Sequence, residues 1–122
     1  MGDFKRLIVW QRAREVAGSV YRATSSFPPS ERFGMTGQLR RAAISVASNI
    51  AESCGRHGRG DEIRFLRIAQ GSAHELESLL LISRDLAYLE GDTHEAVLRP
   101  AIEVQVMLAA LIRRKQRQRS LT

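Results

Sequence analysis

Cysteine, proline, histidine and aromatic residues are all scarce in this 122-residue chain, and each scarcity closes off a class of protein. The single cysteine, Cys54, has no partner for an intramolecular disulfide, so a reducing, cytoplasmic home is expected. His57, His74 and His94 fall in separate segments, with no His-x-x-x-His or Glu-x-x-His pair, so neither a metal nor a cofactor is expected. The stretch Gly55–Gly60 lacks the Lys-Ser/Thr ending and the preceding strand of a phosphate loop, and His74-Glu75 fits no hydrolase signature. Enzymatic activity is therefore not expected. The apolar runs Leu7–Trp10 and Leu79–Ile82 are too short for a signal peptide or a membrane span, which argues against a membrane partner.

What the chain does have is apolar residues at helical spacing. Val9, Ala13, Val16 and Val20 mark a first helix that begins near Asp3 or Lys5 and ends at about Ser25 or Ser26. Phe27-Pro28-Pro29 stops it, because a proline pushes the residue before it out of helical geometry. Leu39, Ala43, Val46 and Ile50 mark a second helix from Gln38 to about Cys54, with Ile44, Ala47 and Ala51 as a further apolar edge. After the glycine-rich link, Asp61 and Glu62 suit the positive end of a third helix reaching about Leu89. In it, Gly71 beside Ser72 and Ala73 suggests close helix contact. Glu90-Gly91-Asp92 breaks the chain again. Leu98, Ala101, Ile102, Gln105, Leu108, Ala109 and Ile112 give a fourth helix, which Pro100 places nearer Arg99 than Thr93 at its start. Residues 113–122 lose the apolar period and are expected to fray.

These segments predict an all-α, up-down-up-down four-helix bundle forming a single domain over residues 1–122. The second, third and fourth helices carry more apolar face than the roughly 100° a monomeric bundle uses, so the chain is expected to associate with itself.

Charge supplies the functional clue. The chain carries a formal net +6, yet residues 113–122 hold five basic residues and no acidic one. Arg113, Arg114, Lys115, Arg117 and Arg119 could contact phosphates of DNA or RNA, with affinity falling as salt rises. Bundle topology would bring Arg56 and Arg59 of the second link to the same end, beside Lys5 and Arg6. The tail lacks aromatics for stacking on bases. Two alternatives stay open: the tail is only a solvated helix end, or the protein is a structural adaptor for an unidentified protein partner. Arg40 and Arg41 are expected to pair across a helix or subunit boundary with Glu52, Glu75 or Glu77, polyanion binding being the second choice, and Asn49 to fix helix register through a polar contact. Cys54 is either activated by Arg56 or an inert packed thiol.

Trp10-Gln11 with Ala13, Phe27-Pro28, Gln38-Leu39-Arg40-Arg41-Ala42-Ala43 and Ser48-Asn49-Ile50-Ala51-Glu52 form a recognisable set. So do Phe65-Leu66 with Ile68-Ala69, Gly71-Ser72 before Glu75-Leu76-Glu77, and Leu86 with Tyr88-Leu89. Together they resemble the four-helix bundle family first found encoded in intervening sequences of bacterial 23S ribosomal RNA genes. The resemblance covers about residues 4 to 112. Where the family usually has Gly after the Glu of Ser-Asn-Ile-Ala-Glu, this chain has Ser53. The resemblance implies a homopentamer with a central channel and no catalytic residues. One branch resembles the accessory protein of diversity-generating retroelements, which binds nucleic acid and its reverse transcriptase.

Overall fold

The structure is a computed structural model, and it describes residues 3–120. Four helices make up the chain: α1 (Ile8–Thr24), α2 (Met35–Cys54), α3 (Arg59–Asp85) and α4 (Gly91–Ser120). Each packs on its chain neighbour and α4 closes against α1, in keeping with up-down-up-down order. The stripes expected from spacing in the first two helices bury, whereas in α4 Ile102 of the expected stripe is exposed and Val97, Val104 and Leu111 bury beside Leu98, Ala101, Leu108 and Ile112. Val9, Ala13, Val16 and Val20 meet Leu39, Ala43, Val46 and Ile50 in one core with Leu66, Leu76, Leu80, Val104 and Leu108.

The helix limits depart from expectation where tertiary contacts or caps decide them. A short 3-10 turn (Phe4–Arg6), capped by Asp3, precedes α1, and extended backbone at Leu7 separates the two. α2 starts three residues before Gln38, because the Glu31 carboxylate accepts the Met35 amide at 2.9 Å and caps it. The same Glu31 oxygen lies where a Cβ on residue 34 would stand, so Gly34 is needed beside it. α3 stops at Asp85 rather than Leu89. Ala87 adopts φ +61° there, and Tyr88 N–H donates to the Ser83 carbonyl at 2.9 Å. A left-handed stop normally uses glycine, so an alanine in that role leaves no sequence signal. α4 begins at Gly91 and runs through Pro100, correcting the later start near Arg99. Proline removes one backbone bond, but Val97, Leu98, Ala101 and Val104 are buried around it and hold the helix. The tail correction is larger: residues 113–120 are helical, continuing α4, and residues 121–122 lie outside the described part.

At the end opposite the chain's N-terminus, Tyr88 ties the two connections together. Its hydroxyl donates to Glu31 Oε2 at 3.0 Å, and its ring lies 5.4 Å from that of Phe27. The Met35 amide, and then the Tyr88 hydroxyl, hold the Glu31 pKa below its ordinary 4.5. A lowered folded-state value means that this contribution to stability is complete above 4.5 and is lost as pH falls through the folded value. Glu31→Gln should therefore flatten the acid limb of a stability-versus-pH curve measured by chemical denaturation, leaving the neutral limb parallel to the parent's.

Other polar expectations are corrected. Arg40 makes no pair with Glu52, Glu75 or Glu77; its Nε donates to Thr24 Oγ1 at 2.9 Å and its guanidinium stacks 4.5 Å from the Tyr21 ring centroid. Arg41 is exposed, and no ion pair involves it among the described residues. Asn49 donates to the Ser45 carbonyl and hydroxyl within α2, so it reaches α3 only through Ser45. The polar contact that does cross is Ser45 to Ser72, 2.8 Å between hydroxyls. Gly71, expected at a close helix contact, faces outward, and a Cβ there would meet nothing within 4 Å.

Several large apolar side chains are exposed on the bundle surface. Val106 is 64% exposed and Leu86 49%, and Ile44, Ile68, Ile82 and Ile102 are exposed with them.

Candidate functional site

The basic end is assembled by three pieces of backbone. The end of α2 and its glycine-rich link bring in Arg56, the first turn of α3 brings in Arg59, Asp61 and Glu62, and the last turns of α4 bring in Lys115 and Arg119. Gly58, at φ +92°, turns the chain directly into α3, and no side chain caps that helix. Leu7 from the N-terminal segment closes the group, so the chain's beginning does lie at this end.

Electrostatics revise the sequence reading. Glu62 receives Arg59 at 2.7 Å and Lys115 at 2.9 Å. Arg56 lies 3.3 Å from Glu52 and 3.7 Å from Asp61, with its guanidinium 4.2 Å from the Phe65 ring centroid. Asp61 also holds Arg64 at 2.9 Å. Arg119 lies over Gly60, its guanidinium 3.0 Å from where a Cβ would be. Arg56, Arg59 and Lys115, expected as open phosphate contacts, are thus engaged by carboxylates, and Glu52 serves Arg56 rather than Arg40 or Arg41. The Arg59–Glu62 pair was legible as an i,i+3 spacing. The Lys115–Glu62 pair was not, because it needs the antiparallel register of α3 and α4.

Arg113, Arg114 and Arg117 remain outward on α4, exposed and without an ion pair among the described residues. They are the part of the expected basic face that stays open. Cys54 is half-buried, and burial pushes its thiol pKa up, the direction expected of a packed thiol. Among the described residues no group of three or more His, Cys, Asp or Glu is placed to hold a metal ion, and no helix is long and apolar enough to cross a membrane.

Apart from this end, the surface carries two apolar faces. One is a shallow groove on α4 of about 520 Å³, floored by Leu98, Ile102, Val106 and Met107 and edged by Glu95, Arg99 and Glu103. The other is the outer face of α3 and its C-cap, where Ile68, Gly71, Ile82 and Leu86 are exposed along one line with Glu75 among them.

Helix order and core define a four-helix bundle protein. The chain matches the 23S rRNA-intervening sequence protein family over residues 5–110 and belongs to that family. It is similar to the crystal structure of a protein of unknown function from the S23 ribosomal protein family of Bacteroides thetaiotaomicron, at 25% identity and a TM-score of 0.78. That match covers 86% of this chain and 98% of the other. No curated protein matches the chain. The arginines at 113, 114 and 117 lie beyond the family-matched residues, so membership by itself assigns them nothing.

Proposed function

We propose that this chain is a non-enzymatic bundle protein that assembles into a ring, the homopentamer implied by its family resemblance. In this reading the ring turns Arg113, Arg114 and Arg117 toward phosphates of DNA or RNA. The observation that carries the assembly is the pair of unlike apolar faces at one height on the subunit. Gln105 donates to the Ala73 carbonyl at 3.3 Å and His94 meets the Leu80 carbonyl at 3.1 Å, which levels the α4 groove with the α3 face. Two different patches make a head-to-tail contact, and such contacts close into rings when the rotation allows. Gly71 leaves a notch in the α3 face for a side chain from the next subunit.

For the nucleic-acid half, each phosphate contact contributes about 0.9 to the slope of log affinity against log salt on duplex DNA. Replacing Arg113, Arg114 and Arg117 together by Gln should therefore lower that slope by up to roughly 3 for each subunit in contact, and weaken DNA and RNA alike. Fluorescence anisotropy across a salt series reads both quantities. Equal binding by parent and variant would remove nucleic acid from the proposal.

A second reading rests on Phe33, which is 91% exposed at the end of the bundle opposite the basic one. A patch of that kind suits a protein partner, and binding that survives 0.5 M salt, a concentration of roughly that order being enough to screen surface charge, would favour it. Kinship with retroelement accessory proteins belongs to the same proposal, and a reverse transcriptase gene beside this one is the observation that would support it.

A further inference from the structure

The cavity at the basic end, rather than the exposed arginines, carries an inference about a small ligand. It measures about 620 Å³ and sits between the end of α2, the first turn of α3 and the last turns of α4. Small-ligand sites commonly fall between 300 and 1,000 Å³, roughly. Three cations line it, Arg56, Arg59 and Lys115, against one carboxylate, Glu62. Its apolar side is made by Leu7, Leu66 and Leu111.

Charge across the whole cluster also stays positive. Four cations (Arg56, Arg59, Arg64 and Lys115) share three carboxylates (Glu52, Asp61 and Glu62), since Glu62 and Asp61 each serve two. The Arg56 Nε–H is buried and has no hydrogen-bond acceptor. The 27-residue helix α3 points its uncapped N-terminus into the same region, adding partial positive charge. Glu62 brings Arg59 and Lys115 side by side, and Arg56 lies against the Phe65 ring.

We propose that this cavity binds a phosphate monoester with a compact apolar or aromatic body, the phosphate seated on Arg59 and Lys115 and the body against Leu7, Leu66 and Leu111. The lining cations outnumber the lining carboxylate, and the whole cluster keeps a net positive charge that an anionic ligand offsets. Arginine supplies a planar fork and lysine a point charge, a pairing suited to phosphate oxygens. Glu62 occupies the place the phosphate would take and is its internal competitor. The proposal concerns one subunit and stands independently of assembly and of Arg113, Arg114 and Arg117.

Titration calorimetry on the full chain tests it with a nucleoside 5′-monophosphate, the matching nucleoside and inorganic phosphate. The monophosphate should bind at least about tenfold more tightly than the nucleoside, as expected for charge-assisted hydrogen bonds. Arg59→Gln and Lys115→Gln should each weaken it by a similar factor. Glu62→Gln should strengthen it several-fold, a gain that misfolding does not produce. Oligonucleotides with a 5′-phosphate or a 5′-hydroxyl distinguish a free nucleotide from a nucleic-acid end as the source. Equal binding of monophosphate and nucleoside, absence of heat with every probe at millimolar concentration, or unchanged or weaker binding by a folded Glu62→Gln protein would each overturn the proposal.

Discussion

Val106→Glu should prevent the proposed ring and leave single chains of 13.7 kDa, and so should Ile82→Glu on the α3 face. Both side chains are exposed on the subunit, so neither change should disturb folding by more than about 0.5 kcal/mol. In the ring each would carry an unpaired carboxylate into an apolar contact, which is strongly unfavourable. A head-to-tail contact makes a sharper demand. Each variant keeps one intact face, so mixing the two should restore one contact and yield dimers that cannot grow. A face-to-face contact between identical patches predicts no rescue on mixing. Light scattering of each variant and of the equimolar mixture checks all three masses. A parent protein that stays at 13.7 kDa across the micromolar range would remove the ring altogether.

His94→Ala should be the most damaging single substitution near the start of α4, costing about 3 kcal/mol. The imidazole is 2% exposed, and its Nε2 lies 3.1 Å from the Leu80 carbonyl of α3. Truncation leaves a cavity and withdraws a buried hydrogen-bond partner at once. In a domain of this size the melting temperature should drop by roughly 10 °C. The first turn of α4 would be the first to exchange its amides. His94→Gln, which keeps a donor of similar reach, should recover part of the loss. Calorimetry and hydrogen exchange read the two effects separately. If His94→Ala melts within 2 °C of the parent, roughly the shift of a surface change, then His94 does not anchor α4 to α3.

The candidate site was only half legible in the sequence. The five basic residues of the last turns are visible as composition, and the shared end of Arg56, Arg59 and Lys115 followed from helix order. Their neutralisation was not legible. Glu62 reads as a helix-start acid, and only the packing of α4 on α3 makes it a partner of Lys115 as well as Arg59. His94 carries no local mark of burial either, since one histidine beside an expected cap looks like any polar residue in a first turn. Arg40 is a third case. Its charge suggested a carboxylate, but the groups within reach are the Thr24 hydroxyl and the Tyr21 ring.

Helix number, order and inward stripes were determined by the sequence alone, because apolar spacing is a property of single helices and survives without knowing the neighbours. The surplus apolar face on α3 and α4 was determined the same way. Tertiary structure decided where helices stop and which charges are spent. Ala87 ends α3 in a backbone conformation that alanine does not announce, and packing carries α4 through Pro100, with the helix running on to Ser120. It also decided that Gly71 faces outward and that Glu62 joins two segments distant in sequence. The physical reason is range: periodicity and capping act within a few residues, whereas ion pairing and burial depend on the register between helices.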